Sequence, residues 1–101
     1  MSKYELIISQ RAVDGLKEIV EEVQKSSLVD AEKLRSKILH RLHFIQHHPH
    51  EQSRKVEIPK KEGEIRCSNI MNYRIYYLLM EEQILVMEII AEKTGHNPVL
   101  R

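Results

Sequence analysis

Hydrophobic and polar residues alternate with a period of two from Lys3 to Ile8 and again from Glu64 to Ile90, and recur every three to four residues between Val13 and Ile45. From Lys3 to Ile8 the apolar side chains of Tyr4, Leu6 and Ile8 fall on one face, which predicts a first strand, and Ser9 follows with a hydroxyl suited to cap a helix. From Val13 onward Leu16, Ile19, Val20 and Val23 keep helical spacing, with Lys17, Glu18, Glu21 and Glu22 on the wet side. Gly15 costs this helix about 1 kcal/mol relative to alanine. Ser26 and Ser27 break the pattern, and Ser27 with Asp30 resembles a capping box for a second helix. That helix turns Ala31, Leu34, Ile38, Leu42 and Ile45 inward and ends at Pro49. So short a link predicts an antiparallel helical hairpin whose apolar seam packs on a sheet.

The remainder reads as strands. His50 to Gly63 is polar, with a short strand over Lys55 to Ile58 and a turn from Pro59 to Gly63. Glu64 to Ile70, Tyr73 to Met80 and Ile84 to Ile90 alternate as half-buried strands. A turn centred on Met71 sets Arg66 opposite Tyr76 and Ser68 opposite Arg74, so one face collects Arg66, Ser68, Arg74 and Tyr76 while Ile65, Cys67, Tyr73, Ile75, Tyr77 and Leu79 fill the other. A three-residue loop, Glu81-Glu82-Gln83, brings Glu88 opposite Tyr76 and near both arginines. The tail from Lys93 to Arg101 lacks periodicity and leaves the sheet at the rim of the polar face, where Lys93 and His96 fold over it. The predicted class is α+β: an N-terminal strand, an antiparallel helical hairpin, then a curved, mainly antiparallel sheet of three to four strands.

Composition narrows the function. A chain of 101 residues that is 42% hydrophobic supports one modest core, hence a single domain over residues 1–101. A formal charge of +1 gives no long-range pull toward nucleic acid or membrane, so any such contact must come from a local patch. One cysteine rules out an internal disulfide and any zinc site built on several thiolates. The start of the chain lacks a secretion signal, and no apolar run reaches membrane-spanning length. These features predict a cytoplasmic protein, away from the membrane.

Candidate chemistry centres on Arg66, Arg74 and Tyr76, since a guanidinium is a fixed fork of donors for phosphate and a phenol stacks on a base or donates to an anion. Ser68, Glu88 and Lys93 complete a binding surface around them. The plainer alternative pairs the arginines with Glu64, Glu88 or Glu92 in cross-strand ion pairs worth under about 1 kcal/mol each. His96 beside Tyr76 would supply an acid and base. His40, His43 and His47 recur at helical spacing within a cluster that extends to His48 and His50, but a closed zinc shell wants a fourth ligand that the same turn does not supply, so no metal and no cofactor is expected. Cys67 reads as a buried small hydrophobe.

Taken together, Tyr4-Glu5-Leu6-Ile7-Ile8-Ser9 followed by Ala12 and Leu16, then Leu42 to Pro49, Gly63-Glu64-Ile65-Arg66, Asn72-Tyr73-Arg74-Ile75-Tyr76-Tyr77 and a last apolar strand resemble the RelE/ParE toxin superfamily over nearly the whole chain. The resemblance implies a small toxin made beside a cognate antitoxin that wraps it. It also implies one of two actions: binding DNA gyrase, or cutting messenger RNA in the ribosomal decoding site. Arg74 matches the strand arginine of the nuclease branch and Arg66 matches approximately, which would make Arg66, Arg74 and His96 catalytic only in a nuclease. At the end of the last strand, where those nucleases supply arginine, histidine or tyrosine, this chain has Glu92, Lys93, Thr94 and Gly95. The incomplete acid-base set and the regular helical hairpin resemble the gyrase-directed branch, and growth inhibition through gyrase is therefore the expected action.

Overall fold

In the computed structural model, which describes residues 4–92, Ser9 ends a strand and starts a helix. Its Oγ accepts the Ala12 N–H at 3.1 Å and donates to the Met87 carbonyl at 3.0 Å, while its own N–H donates to Val86 O at 3.0 Å. One side chain thus satisfies a free helix N–H and ties the chain reversal to a strand nearly eighty residues away. The elements run β1 (Glu5–Ile8), α1 (Gln10–Gln24), α2 (Leu28–His47), β2 (Arg54–Lys60), β3 (Gly63–Ile70), β4 (Tyr73–Leu79) and β5 (Gln83–Ala91). Ser27 caps α2 by accepting the Asp30 N–H at 3.1 Å, and α2 stops at His47, just before Pro49. The α+β architecture and the caps at Ser9 and Ser27 agree with the reading of the chain.

The five strands form one sheet in the order β1-β5-β4-β3-β2. β2 to β5 are an antiparallel meander, and β1 returns to pair in parallel with β5 from Glu5 opposite Gln83 to Ile8 opposite Val86. The helical hairpin covers one face. Ala12 and Ile19 of α1 and Leu34, Ile38, Leu42 and Ile45 of α2 meet Ile75, Tyr77, Leu79, Ile84, Val86 and Ile89 in a continuous core. Tyr4 and Leu6 pack at its margin, whereas Ile8, expected on the same face, is 38% exposed where the strand gives way to Ser9. The opposite face has its own small buried set, Ile65, Cys67 and Leu78.

β2 is longer than its apolar pattern suggested, and its pairing with β3 shifts between Val56 and Pro59. Proline has no N–H for a ladder and is tolerated at this edge, beside an irregularity. Beyond Ile8 the outer edge of β5 has no strand partner among the described residues, and α1 lies against it: a Cβ on Gly15 would fall closer than 3.0 Å to the Ile89 carbonyl oxygen. A glycine is needed here for approach, not for a special backbone angle. Among the described residues no helix is long and apolar enough to cross a membrane.

Candidate functional site

The β3–β4 hairpin turns through two residues, Met71 and Asn72, with Ile70 opposite Tyr73 and Met71 at φ 55°. Arg66 therefore stands opposite Tyr77, Ser68 opposite Ile75, Asn69 opposite Arg74 and Cys67 opposite Tyr76. Residues directly opposite share a face, so Arg66 and Ser68 join Ile75 and Tyr77 on the helix-covered side, while Arg74 and Tyr76 join Ile65, Cys67, Asn69 and Leu78 on the other. The expected polar face bearing both arginines does not exist. A turn centred on Met71 requires one more loop residue than the chain uses, and a one-residue slip sends every side chain of one strand to the opposite side.

On the helix side Arg66 is 11% exposed and works as a latch. Nη1 meets Glu64 Oε2 at 2.6 Å, Nε donates to Ser53 Oγ at 2.9 Å, and Nη2 reaches the carbonyls of Ser53 at 3.3 Å and His50 at 3.4 Å. The same connection between α2 and β2 is held by Tyr77, whose phenol donates to Pro49 O, and by Ser68, fully buried, which donates to Gln52 O at 3.0 Å. Arg41 completes the set by donating Nη1 to Ser68 Oγ and to Asn69 O, both at 2.9 Å. The hydrogen bond from Arg66 holds the Glu64 carboxyl below its ordinary range, and burial raises the Tyr77 phenol. The Arg66 guanidinium is occupied on three sides by its own chain.

On the open face Arg74 donates Nη1 to Tyr76 Oη at 3.3 Å and pairs through Nη2 with Glu92 Oε2 at 3.0 Å. Its Nε is buried without a hydrogen-bond partner among the described residues. The bonds to Tyr76 and Glu92 raise its pKa still further, so it is a permanent cation. Of the ion pairs read from the sequence, Arg74 with Glu92 links β4 to the residue after β5, whereas Arg66 with Glu64 lies within β3 and is largely buried instead of crossing between strands.

A family model described as the ParE toxin of the type II toxin-antitoxin system, parDE, matches residues 6–94. The chain belongs to this ParE toxin family. No curated protein matches it. In this ParE-family chain the match runs from β1 through the end of β5, so the strand, helical hairpin and meander all fall within it.

Glu88 does face Tyr76 as expected, but by another route. The loop between β4 and β5 is the two-residue Glu81-Glu82, closed by Met80 N–H to Gln83 O at 2.8 Å, and a bulge at Met87 then restores the pairing. Glu88 pairs with Arg11 of α1 at 3.3 Å, not with Arg66 or Arg74. Cys67 is 1% exposed and points its thiol at Asn69 Oδ1, 3.4 Å away; burial raises its pKa and keeps it neutral. Its burial was legible, but it lies on the open face with Ile65, away from Ile75 and Tyr77. Lys93 and His96 lie outside the described residues.

His43 and His47 bring their rings to 4.5 Å on the exposed side of α2, with His47 Nδ1 3.0 Å from the His43 carbonyl. Among the described residues no three histidine, cysteine or acidic side chains converge as metal ligands. Sequence reading missed Arg41. The signal was present: it stands three residues after Ile38 and four before Ile45, at inward spacing, where a long cation must reach a polar partner on the sheet.

Proposed function

We propose that this chain arrests bacterial growth by binding a gyrase-type topoisomerase, without cutting RNA, and that a cognate antitoxin encoded beside it holds it inactive. The observation that carries this reading is the separation of Arg66 and Arg74 onto opposite faces, each engaged by a carboxylate of its own chain. Cleavage of messenger RNA requires a base for the ribose 2′-hydroxyl and a cation for the phosphorane within one site. Arg66, buried in its latch, is not free to meet a phosphate that Arg74 also touches. The ParE family match supports action by binding, and growth arrest follows from loss of an essential enzyme.

Purified chain added to gyrase should inhibit supercoiling of relaxed plasmid, and transcripts from induced cells should keep their ends. Mapped breaks in messenger RNA that disappear with Arg74→Ala would overturn this and assign a ribosome-dependent endoribonuclease. Expression without growth arrest or gyrase inhibition would instead mark an inactive relative. Copurification with the product of the adjacent reading frame, and loss of gyrase inhibition in that complex, tests the antitoxin.

A further inference from the structure

α2 segregates charge along its length. Its acidic residues, Asp30 and Glu32, stand near its start, and from Lys33 to His50 the chain has Lys33, Arg35, Lys37 and Arg41, with five histidines and no aspartate or glutamate. The formal charge of +1 conceals this because α1 carries Asp14, Glu18, Glu21 and Glu22 against Arg11 and Lys17. A groove of about 680 Å³ runs between this basic helix and the β3–β4 turn. Lys37, His40 and Arg41 form its wall, Phe44, Ile70 and Met71 add apolar surface, and among the described residues no acidic side chain lines it.

Three observations give the groove a chemical preference. Lys37 and His40 are exposed and make no hydrogen bond or ion pair among the described residues. Arg41 is fixed by the bonds of Nη1 to Ser68 and Asn69, which leaves Nη2 and Nε as donors already in place. Met71, 55% exposed, holds an apolar side chain in the same groove as the Lys37 and Arg41 cations, at a turn position with positive φ.

We infer that this groove receives an acidic, amphipathic peptide segment of a protein partner, with carboxylates on Lys37, His40 and Arg41 and an apolar side chain against Phe44, Ile70 and Met71. A polyphosphate backbone would match the cations and leave the apolar surface of Phe44, Ile70 and Met71 uncovered, which is what favours the peptide. The inference deepens the proposed function by naming what the antitoxin would present, and to that extent it rests on that reading. The chemistry of the groove can be tested without it.

The probe is a fluorescein-labelled peptide of glutamate and leucine at helical spacing, with a lysine–leucine peptide as control and a labelled single-stranded oligonucleotide as rival. The expected result is saturable anisotropy for the acidic peptide alone, weakened about tenfold or more by the double variant Lys37→Glu, His40→Glu. Both positions are exposed, and an unchanged circular dichroism spectrum would confirm that the variant folds. An acidic peptide that does not bind, or that binds the variant equally well, overturns the inference. So does an oligonucleotide that binds in place of the peptide and is lost in the variant, which would make the groove a nucleic-acid site. A neighbouring gene product that copurifies equally with native and variant chains overturns the groove and leaves the antitoxin reading standing. A peptide bound as expected, with no copurifying neighbour, supports the groove and removes the antitoxin.

Discussion

Replacing Gly15 by alanine sets two calculable effects against each other. In an open helix the change would stabilise by about 1 kcal/mol, because alanine loses less backbone freedom. Here α1 lies on the free edge of β5, and the new Cβ would sit closer than 3.0 Å to the Ile89 carbonyl oxygen and 3.4 Å from its carbon. That oxygen belongs to a strand paired with β4 through Ile75, so it cannot rotate aside as a side chain would. Either α1 or the end of β5 must move, and Ser9, bonded to Met87 O and Val86 O, resists movement of the helix start. Overpacking of this kind costs about 1–3 kcal/mol or more. A rigid backbone obstacle puts the cost at the upper end of that range, about 2–3 kcal/mol, so with the propensity gain subtracted we expect a net loss of about 1–2 kcal/mol, a sizeable part of the roughly 5–15 kcal/mol a small domain holds. Thermal unfolding followed by circular dichroism should show the midpoint fall by roughly 4–16 °C. A midpoint equal to or above the native one would refute the close approach and with it the placement of α1 on β5.

Three further outcomes follow from the same geometry. Arg66→Ala should cost about 2–3 kcal/mol in urea unfolding, since it strands the Glu64 carboxylate and the carbonyls of the α2–β2 connection; the partial exposure of Glu64 keeps the figure below that of a fully buried pair, and a loss under about 0.5 kcal/mol would show that the latch holds nothing. Met71→Gly should stabilise by about 0.5–1 kcal/mol by relieving a positive φ of 55°, and a destabilised variant would place the strain elsewhere. Glu64 has a folded pKa below its ordinary 4.5, so the unfolded chain takes up the proton first; its contribution is complete above that value and lost as pH falls through the lowered one. Glu64→Gln should therefore flatten the acid side of the stability profile, and identical slopes from about pH 6 to about pH 3 would exclude the pairing with Arg66.

The helices were legible because their signal is redundant. Ala31, Leu34, Ile38, Leu42 and Ile45 repeat one spacing over four turns, all five are buried, and Ser9 and Ser27 sit where a hydroxyl meets a free N–H. Strand register has no such redundancy. It depended on whether Met71 is the middle of a loop or its first residue, and the usual marker of a two-residue turn, a glycine at positive φ, is absent because methionine occupies that position. β4 was read correctly as alternating Tyr73, Ile75, Tyr77 and Leu79 against the helices; only its partner was slipped, and that one step moved Arg66 and Ser68 beneath α2. The position of Glu88 came out right through two departures that cancel, a shorter loop and a bulge at Met87.

That slip changes what each arginine can be for. A guanidinium on an open face is a donor waiting for an anion, whereas one under a helix needs intramolecular acceptors, and Arg66 takes its acceptors from Glu64, Ser53 and His50. Arg41 stands between these roles. One of its nitrogens joins the buried set through Ser68, which in turn holds Gln52, while the residue also lines the groove beside Lys37 and His40. A carboxylate arriving at that fork meets a cation whose position is already fixed by the sheet, so little side-chain freedom remains to be lost on binding. The α2–β2 latch and the groove are thus one construction: the bonds that hold the connection also aim the cation that faces outward.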